Sequence, residues 1–328
     1  CIRDRYMNWK QTLFWSFSTA AIFYYFLLFG VFVFVGQEEM QLFIPEWWYI
    51  REFLFQPGGF CAVAGQWIIQ YYRQPMSAVV LHTVLLVGCG FMVYRILRCF
   101  SDKTYLLFLS LLPVLYLVKM SIHGEYLVDG TVGVVLMLLA LSLSLKVRRA
   151  GSIAGYGIAS TLFLCGLTGL LSVCYAFLYT LLALLRYKTS RQRLAAAACL
   201  IPALFIYLFS GWLGIPVPLS DGWMPEAYLE IQRLPHYYMY RVWTFFTLSI
   251  VGVALFARFV PVIGEKSKWM DRVALVVCLI TALVSIRFCL PEPWHAQRMM
   301  LDELSFLARE RPVSYTHLRA HETGRNLV

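Results

Sequence analysis

Two adjacent carboxylates, Glu38 and Glu39, follow a long apolar run directly, in "FGVFVFVGQEEM". A carboxylate at the edge of an apolar segment is partly desolvated, which makes it a stronger proton acceptor. Such a group can take the proton of an attacking hydroxyl, or hold a divalent cation against a phosphate. It can equally do nothing more than mark where the apolar run ends. Basic groups that could pair with a phosphate stand further along. Arg73 lies in "WIIQYYRQP", and Arg233, His236 and Arg241 lie among aromatic residues in "EIQRLPHYYMYR". A guanidinium or imidazolium makes charge-assisted hydrogen bonds to phosphate oxygens; the same residues also serve as interfacial anchors. His123, Glu125 and Asp129 share the turn "KMSIHGEYLVDG", which reads either as a proton relay or metal site or as a solvated turn. His82 stands inside an apolar run, where an ionisable side chain is functional by default unless a neighbouring helix satisfies it. Arg287, near the end of a late apolar run, has the reach to snorkel.

The elements that must position these groups are membrane helices. Apolar residues make up 60% of the 328-residue chain and charged residues 14%, against about 25% charged in a soluble domain. This composition excludes an ordinary soluble enzyme. The net charge of +10 does not point to nucleic acid, because the basic residues stand in short clusters between apolar runs, as the positive-inside rule requires. Most cysteines (Cys89, Cys165, Cys174, Cys199 and Cys278) lie within apolar runs as small apolar residues. No Cys/His spacing of a metal site occurs, and the cofactor is left unknown.

A bilayer-crossing helix takes about 20 apolar residues. Candidate spans are Thr12–Gly36, Pro75–Leu97, Thr104–Val118, Leu127–Leu145, Leu194–Leu213, Val242–Val260 and Arg272–Leu290. The stretch 150–186 is long for one span and short for two. Basic clusters bracket it, Lys146, Arg148 and Arg149 before it and Arg186, Lys188, Arg191 and Arg193 after it. Both belong on the cytoplasmic side, so an even number of passes is expected between them. The glycines of "LCGLTGLLS" predict a helical hairpin, Ile153–Leu167 and Leu170–Leu185, spanning or re-entrant; one long helix is the alternative. The fold class is therefore an all-α polytopic transmembrane bundle of about nine membrane segments. Its N-terminus is expected in the cytoplasm and its C-terminus outside, in the inner (plasma) membrane of a bacterium.

The first outside loop, 37–74, is too polar to span and too aromatic to float free. Phe60, Val63, Ala64, Trp67, Ile68 and Tyr71 recur at helical spacing, with Gln66, Gln70 and Arg73 opposite. Trp47, Trp48, Tyr49, Phe53 and Phe55 form a second aromatic stretch, before Pro57-Gly58-Gly59. Both predict helices lying in the interface plane. Carboxylates just past the first span, followed by interfacial helices, give a layout that resembles the GT-C glycosyltransferase superfamily over about Thr12 to Leu97. That resemblance implies sugar transfer from a lipid-phosphate donor at the outer membrane face. It puts Glu38 and Glu39 in the catalytic position, where many members carry Asp or an Asp-Glu pair. Arg73, Arg233 and His236 would hold the donor phosphate. The chain also resembles an uncharacterised family of bacterial multi-pass proteins with a helical extracytoplasmic C-terminal region.

Domain organisation follows from these readings. Residues 6–290 form the transmembrane domain, and 291–311, "AQRMMLDELSFLARER" within it, start a further extracytoplasmic helical domain. Cys1–Arg5 and Pro312–Thr316 can be encoded by one DNA element in opposite orientations, and both ends resemble sequencing-adapter read-through. Segments 1–5 and 312–328 are expected to lie outside the fold. The expected partners are membrane lipids and a lipid-linked sugar donor, not nucleic acid. Two further functions compete with transfer: a transporter or flippase, which would use intramembrane polar groups such as His82, and a non-catalytic envelope scaffold.

Overall fold

The computed structural model describes residues 9–40, 43–101, 105–122, 126, 128–169, 171–209 and 246–258, with 276 and 280 as isolated positions. Expectations for His123, Glu125, Arg233, His236 and Arg287 fall outside them, as do those for 1–5 and for everything after residue 280. The described residues are helical with no strand. In chain order the elements are α1 (Trp9–Phe29), α2 (Val31–Met40), α3 (Trp47–Leu54), α4 (Gly59–Ile69), a 3₁₀ turn (Gln70–Arg73), α5 (Pro75–Leu97), α6 (Leu106–Met120), α7 (Val128–Ser144), α8 (Ala150–Thr168), α9 (Leu171–Arg186), α10 (Ser190–Ala197) and α11 (Leu200–Leu208). A further apolar helix, α12, covers Phe246–Arg258.

Among the described residues, four stretches are long and apolar enough to cross a membrane: Gln11–Phe29, Pro75–Leu97, Ala150–Thr168 and Ser190–Leu208. The 17 residues of α7 reach about 26 Å at 1.5 Å per residue, just short of the hydrocarbon core. Helix α5 is central, with 44% of its apolar window buried against 22% for α1 and α8. The outer helices turn large apolar side chains away from the protein: Leu13, Phe17 and Leu28 on α1, Tyr156, Leu162 and Phe163 on α8. Apolar area of that extent calls for a lipid or protein cover.

Local chemistry explains the boundaries. Pro75 starts α5 at a position where its missing N–H costs nothing. The expected first span is divided at Gly30, yet the helical bonding carries through: Gly30 donates to the Phe26 carbonyl at 2.8 Å and accepts from Phe34 at 3.0 Å. A side chain at residue 30 would lie 2.8 Å from the Phe34 ring. The 150–186 stretch is two helices, as the charge parity requires. Gly169 closes α8 at φ 58°, ψ −129°, a region open essentially to glycine alone.

Basic segments gather at one end of the bundle. Arg186 donates to the Cys99 carbonyl (2.8 Å), Tyr187 to Val147 (2.8 Å), Gln192 to Arg148 (2.7 Å) and Gln11 to the Tyr94 hydroxyl (2.9 Å). These bonds bring the start of α1, the end of α5 and the loops around residues 98, 147 and 188 together. The end of α2, α4, the start of α7 and the end of α8 meet at the opposite, aromatic end.

Candidate functional site

The aromatic end is organised by α4. Its buried residues are Gly59, Cys61, Ala62, Gly65, Gln66 and Ile69, while Phe60, Trp67 and Tyr71 point outward. The helix was expected with its aromatic stripe on one face and Gln66, Gln70 and Arg73 on the other; the aromatic residues are exposed, and it is Gln66 on the opposite face that is buried. For a helix with lipid on one side, the large apolar face belongs to the lipid and the small or polar face to the neighbouring helices. Backbone approach fixes the seat. The Gly58 N–H donates to the Gly166 carbonyl at 3.1 Å, tying α4 to α8. A Cβ on Gly65 would lie 2.6 Å from the Asp129 Cβ, so only glycine lets α4 cross the first turn of α7.

Asp129 therefore does not belong to a solvated turn, the simpler of the two readings of that stretch. It is the second residue of α7 and only 3% exposed. One carboxyl oxygen accepts from the Gly130 N–H at 2.8 Å; the other has no hydrogen-bond partner among the described residues. The 3₁₀ turn after α4 sends its side chains three ways. Tyr71 faces outward, Tyr72 is fully buried and Arg73 is exposed. The Tyr72 hydroxyl is hydrogen-bonded to His82 Nε2. His82 is fully buried, its ring stacked on Phe34 at 4.2 Å and 7°, and its Nδ1 has no partner among the described residues. Gln37 is buried and donates to the Tyr126 carbonyl at 2.6 Å. The Tyr126 hydroxyl in turn is 2.9 Å from Thr131 Oγ1. Burial first, and then Asp129 whenever it carries its negative charge, push the Tyr72 phenol well above its ordinary range. The same two causes raise the Cys61 thiol. Both groups are thus neutral donors within electrostatic reach of Asp129.

The expected catalytic pair lies on α2. Glu38 and Glu39 belong to its last turn, so the helix does not end at Gly36 as expected. Glu38 is half-buried and stands four residues, one turn, beyond Phe34 on the same side of the helix. That side packs against the 3₁₀ turn and α5, so Glu38 and Arg73 stand on elements in mutual contact. On α4, the 3₁₀ turn and α5, Trp67, Ile68, Tyr71, Met76, Val80 and Leu81 line an open apolar groove of about 400 Å³, with Ser77 as its polar member. Among the described residues no group of three or more His, Cys, Asp or Glu side chains could hold a metal ion.

Sequence reasoning missed Tyr72 and Gln37, and it gave Asp129 no burial. The small-residue face Cys61-Ala62-Gly65 was the available signal that a backbone crosses there. No curated protein and no solved structure gives a match. A family model covers residues 5–311, and by that match the chain belongs to the family of unknown function DUF6057.

Proposed function

We propose that the chain is a polytopic enzyme of about nine membrane segments that transfers a sugar from a lipid-phosphate donor at the outer face of a bacterial inner membrane. Glu38 or Glu39 accepts the proton of the acceptor hydroxyl. Arg73 holds the donor phosphate with Arg233 and His236. The observation that supports this reading is the apolar groove lined by α4, the 3₁₀ turn and α5, with the exposed Arg73 on that same turn and α2, which carries both glutamates, packed against the turn. A groove open to lipid suits a hydrocarbon chain, a guanidinium at the interface suits its phosphate, and a half-buried carboxylate suits the proton transfer.

Glu38→Gln and Glu39→Gln should leave membrane insertion and abundance intact. One of them should lower formation of the glycan product by about 10²–10⁴-fold, the usual cost of losing a general base. Full activity in both variants would defeat the catalytic assignment. The outer-face part of the proposal rests on the basic end being cytoplasmic. A cysteine placed at Ser190 should resist an impermeant thiol reagent on intact cells, and one placed at Ser220 should react. The reverse pattern would overturn the orientation.

A second reading, a transporter or flippase, draws on a different observation. Asp129 and His82 are ionisable and buried inside an apolar bundle, where such residues often line ion or substrate paths. Uptake or lipid flipping by reconstituted protein, unaffected by Glu38→Gln and Glu39→Gln, would favour it.

A further inference from the structure

The candidate transferase site leaves one group unused. Asp129 is buried at the crossing of α4 and α7, with one carboxyl oxygen bonded to its own helix and the other without a partner among the described residues. Enclosing an isolated carboxylate among apolar helices costs far more than enclosing the neutral acid. Among the described residues, nothing packed on it supplies a compensating cation. Helix α4 offers Cys61, the 3₁₀ turn Tyr72, and α5 His82, Cys89 and Tyr94; α8 offers Cys165, and α9 Cys174, Tyr175 and Tyr179. Arg95 and Arg186 close the far ends of α5 and α9, at the basic end of the bundle. Of the groups facing Asp129, the Tyr72 phenol and the Cys61 thiol are held neutral. His82 is bonded to Tyr72 through Nε2, and its Nδ1 has no partner among the described residues.

We propose that the Asp129 carboxyl is a proton-binding site of the membrane domain, protonated at rest and able to exchange that proton with the aromatic end of the bundle. The assignment is independent of the transferase reading, because it uses neither Glu38, Glu39 nor Arg73. Position supports exchange. Asp129 stands in the first turn of its helix, where α4 crosses it, and Gly65 brings the two backbones close at that point. A carboxyl so placed can accept a proton and release it without a second charge having to be built beside it.

A protonated carboxyl in an apolar setting reacts with an apolar carbodiimide. The acid proton moves to a carbodiimide nitrogen and the carboxyl oxygen adds to the central carbon. The acyl group then migrates to nitrogen as a stable N-acylurea, with no other reactant and no leaving group. The full chain, purified in detergent, would be treated with N,N′-dicyclohexylcarbodiimide across a pH series and the modified peptide read by mass spectrometry. Asp129 should be modified, with the yield falling about tenfold per pH unit once the carboxyl has ionised. The water-exposed Glu46 and Glu52, marked by a water-soluble carbodiimide, give the reference for ordinary carboxylates. Asp129→Asn should remove the modification and keep the melting temperature, since a neutral isostere replaces a neutral acid. An unmodified Asp129, a yield independent of pH, protection by sodium at fixed pH, or an Asp129→Asn chain that no longer folds would each overturn the proposal.

Discussion

The two ends of the bundle solve opposite problems. At the basic end, Arg186, Tyr187 and Gln192 reach across loops to backbone carbonyls. These bonds tie the loops at little cost, because the charged groups keep access to water. At the aromatic end, Gln37, His82 and Asp129 are withdrawn from water among aromatic rings and small residues. There an imperfectly matched polar group costs about 1–3 kcal/mol. The first arrangement fixes the fold. The second keeps polar groups that stability alone would have replaced by apolar side chains.

Three substitutions test that contrast, from the largest effect to the smallest. Gly65→Leu drives a side chain into the Asp129 backbone and should cost about 3 kcal/mol, the upper end for overpacking. It would be read as a lowered melting temperature in detergent, or as aggregation. Gly155→Ala, on an exposed stretch of α8 with nothing within 4 Å of the added methyl, is the control and should stay within about 0.5 kcal/mol. Next, Tyr72→Phe removes the partner of a fully buried imidazole and should cost about 2 kcal/mol in the same melting experiment. Smallest is Arg186→Gln, which loses one bond at a half-buried site. Its cost should be about 1 kcal/mol, because water replaces the guanidinium at the Cys99 carbonyl. If Arg186→Gln proves more damaging than Tyr72→Phe, the basic end is the strained one and the contrast is inverted.

The all-α class, the membrane-spanning character and several helix limits were legible. The bounds of α5 agree with Pro75–Leu97 because a proline and a basic cluster frame one apolar run. The α8–α9 hairpin followed from the parity of basic clusters, with Gly169 as its turn. The burial of Gln66, on the face of α4 opposite the aromatic stripe, was not legible by the rule that the polar face of an amphipathic helix meets water. That rule assumes water outside, and here the outward face carries Trp67 and Tyr71. Asp129 escaped for a different reason. "YLVDG" has the composition of a turn, and nothing local to it tells that Gly65, far away in sequence, covers it. Glu38 was expected just past the end of the first span; its place within a helix depended on Gly30 carrying the hydrogen bonding onward.

One feature of α4 reaches beyond chemistry. The helix turns Phe60, Trp67 and Tyr71 outward on one side and seats Gly65 against Asp129 on the other. A helix is only about 10–12 Å across, and aromatic side chains settle at a preferred depth in the headgroup region. The helix is thereby coupled on its inner side to two neighbours at once: the Gly58 N–H ties it to α8, and the close approach of Gly65 to Asp129 seats it on the first turn of α7.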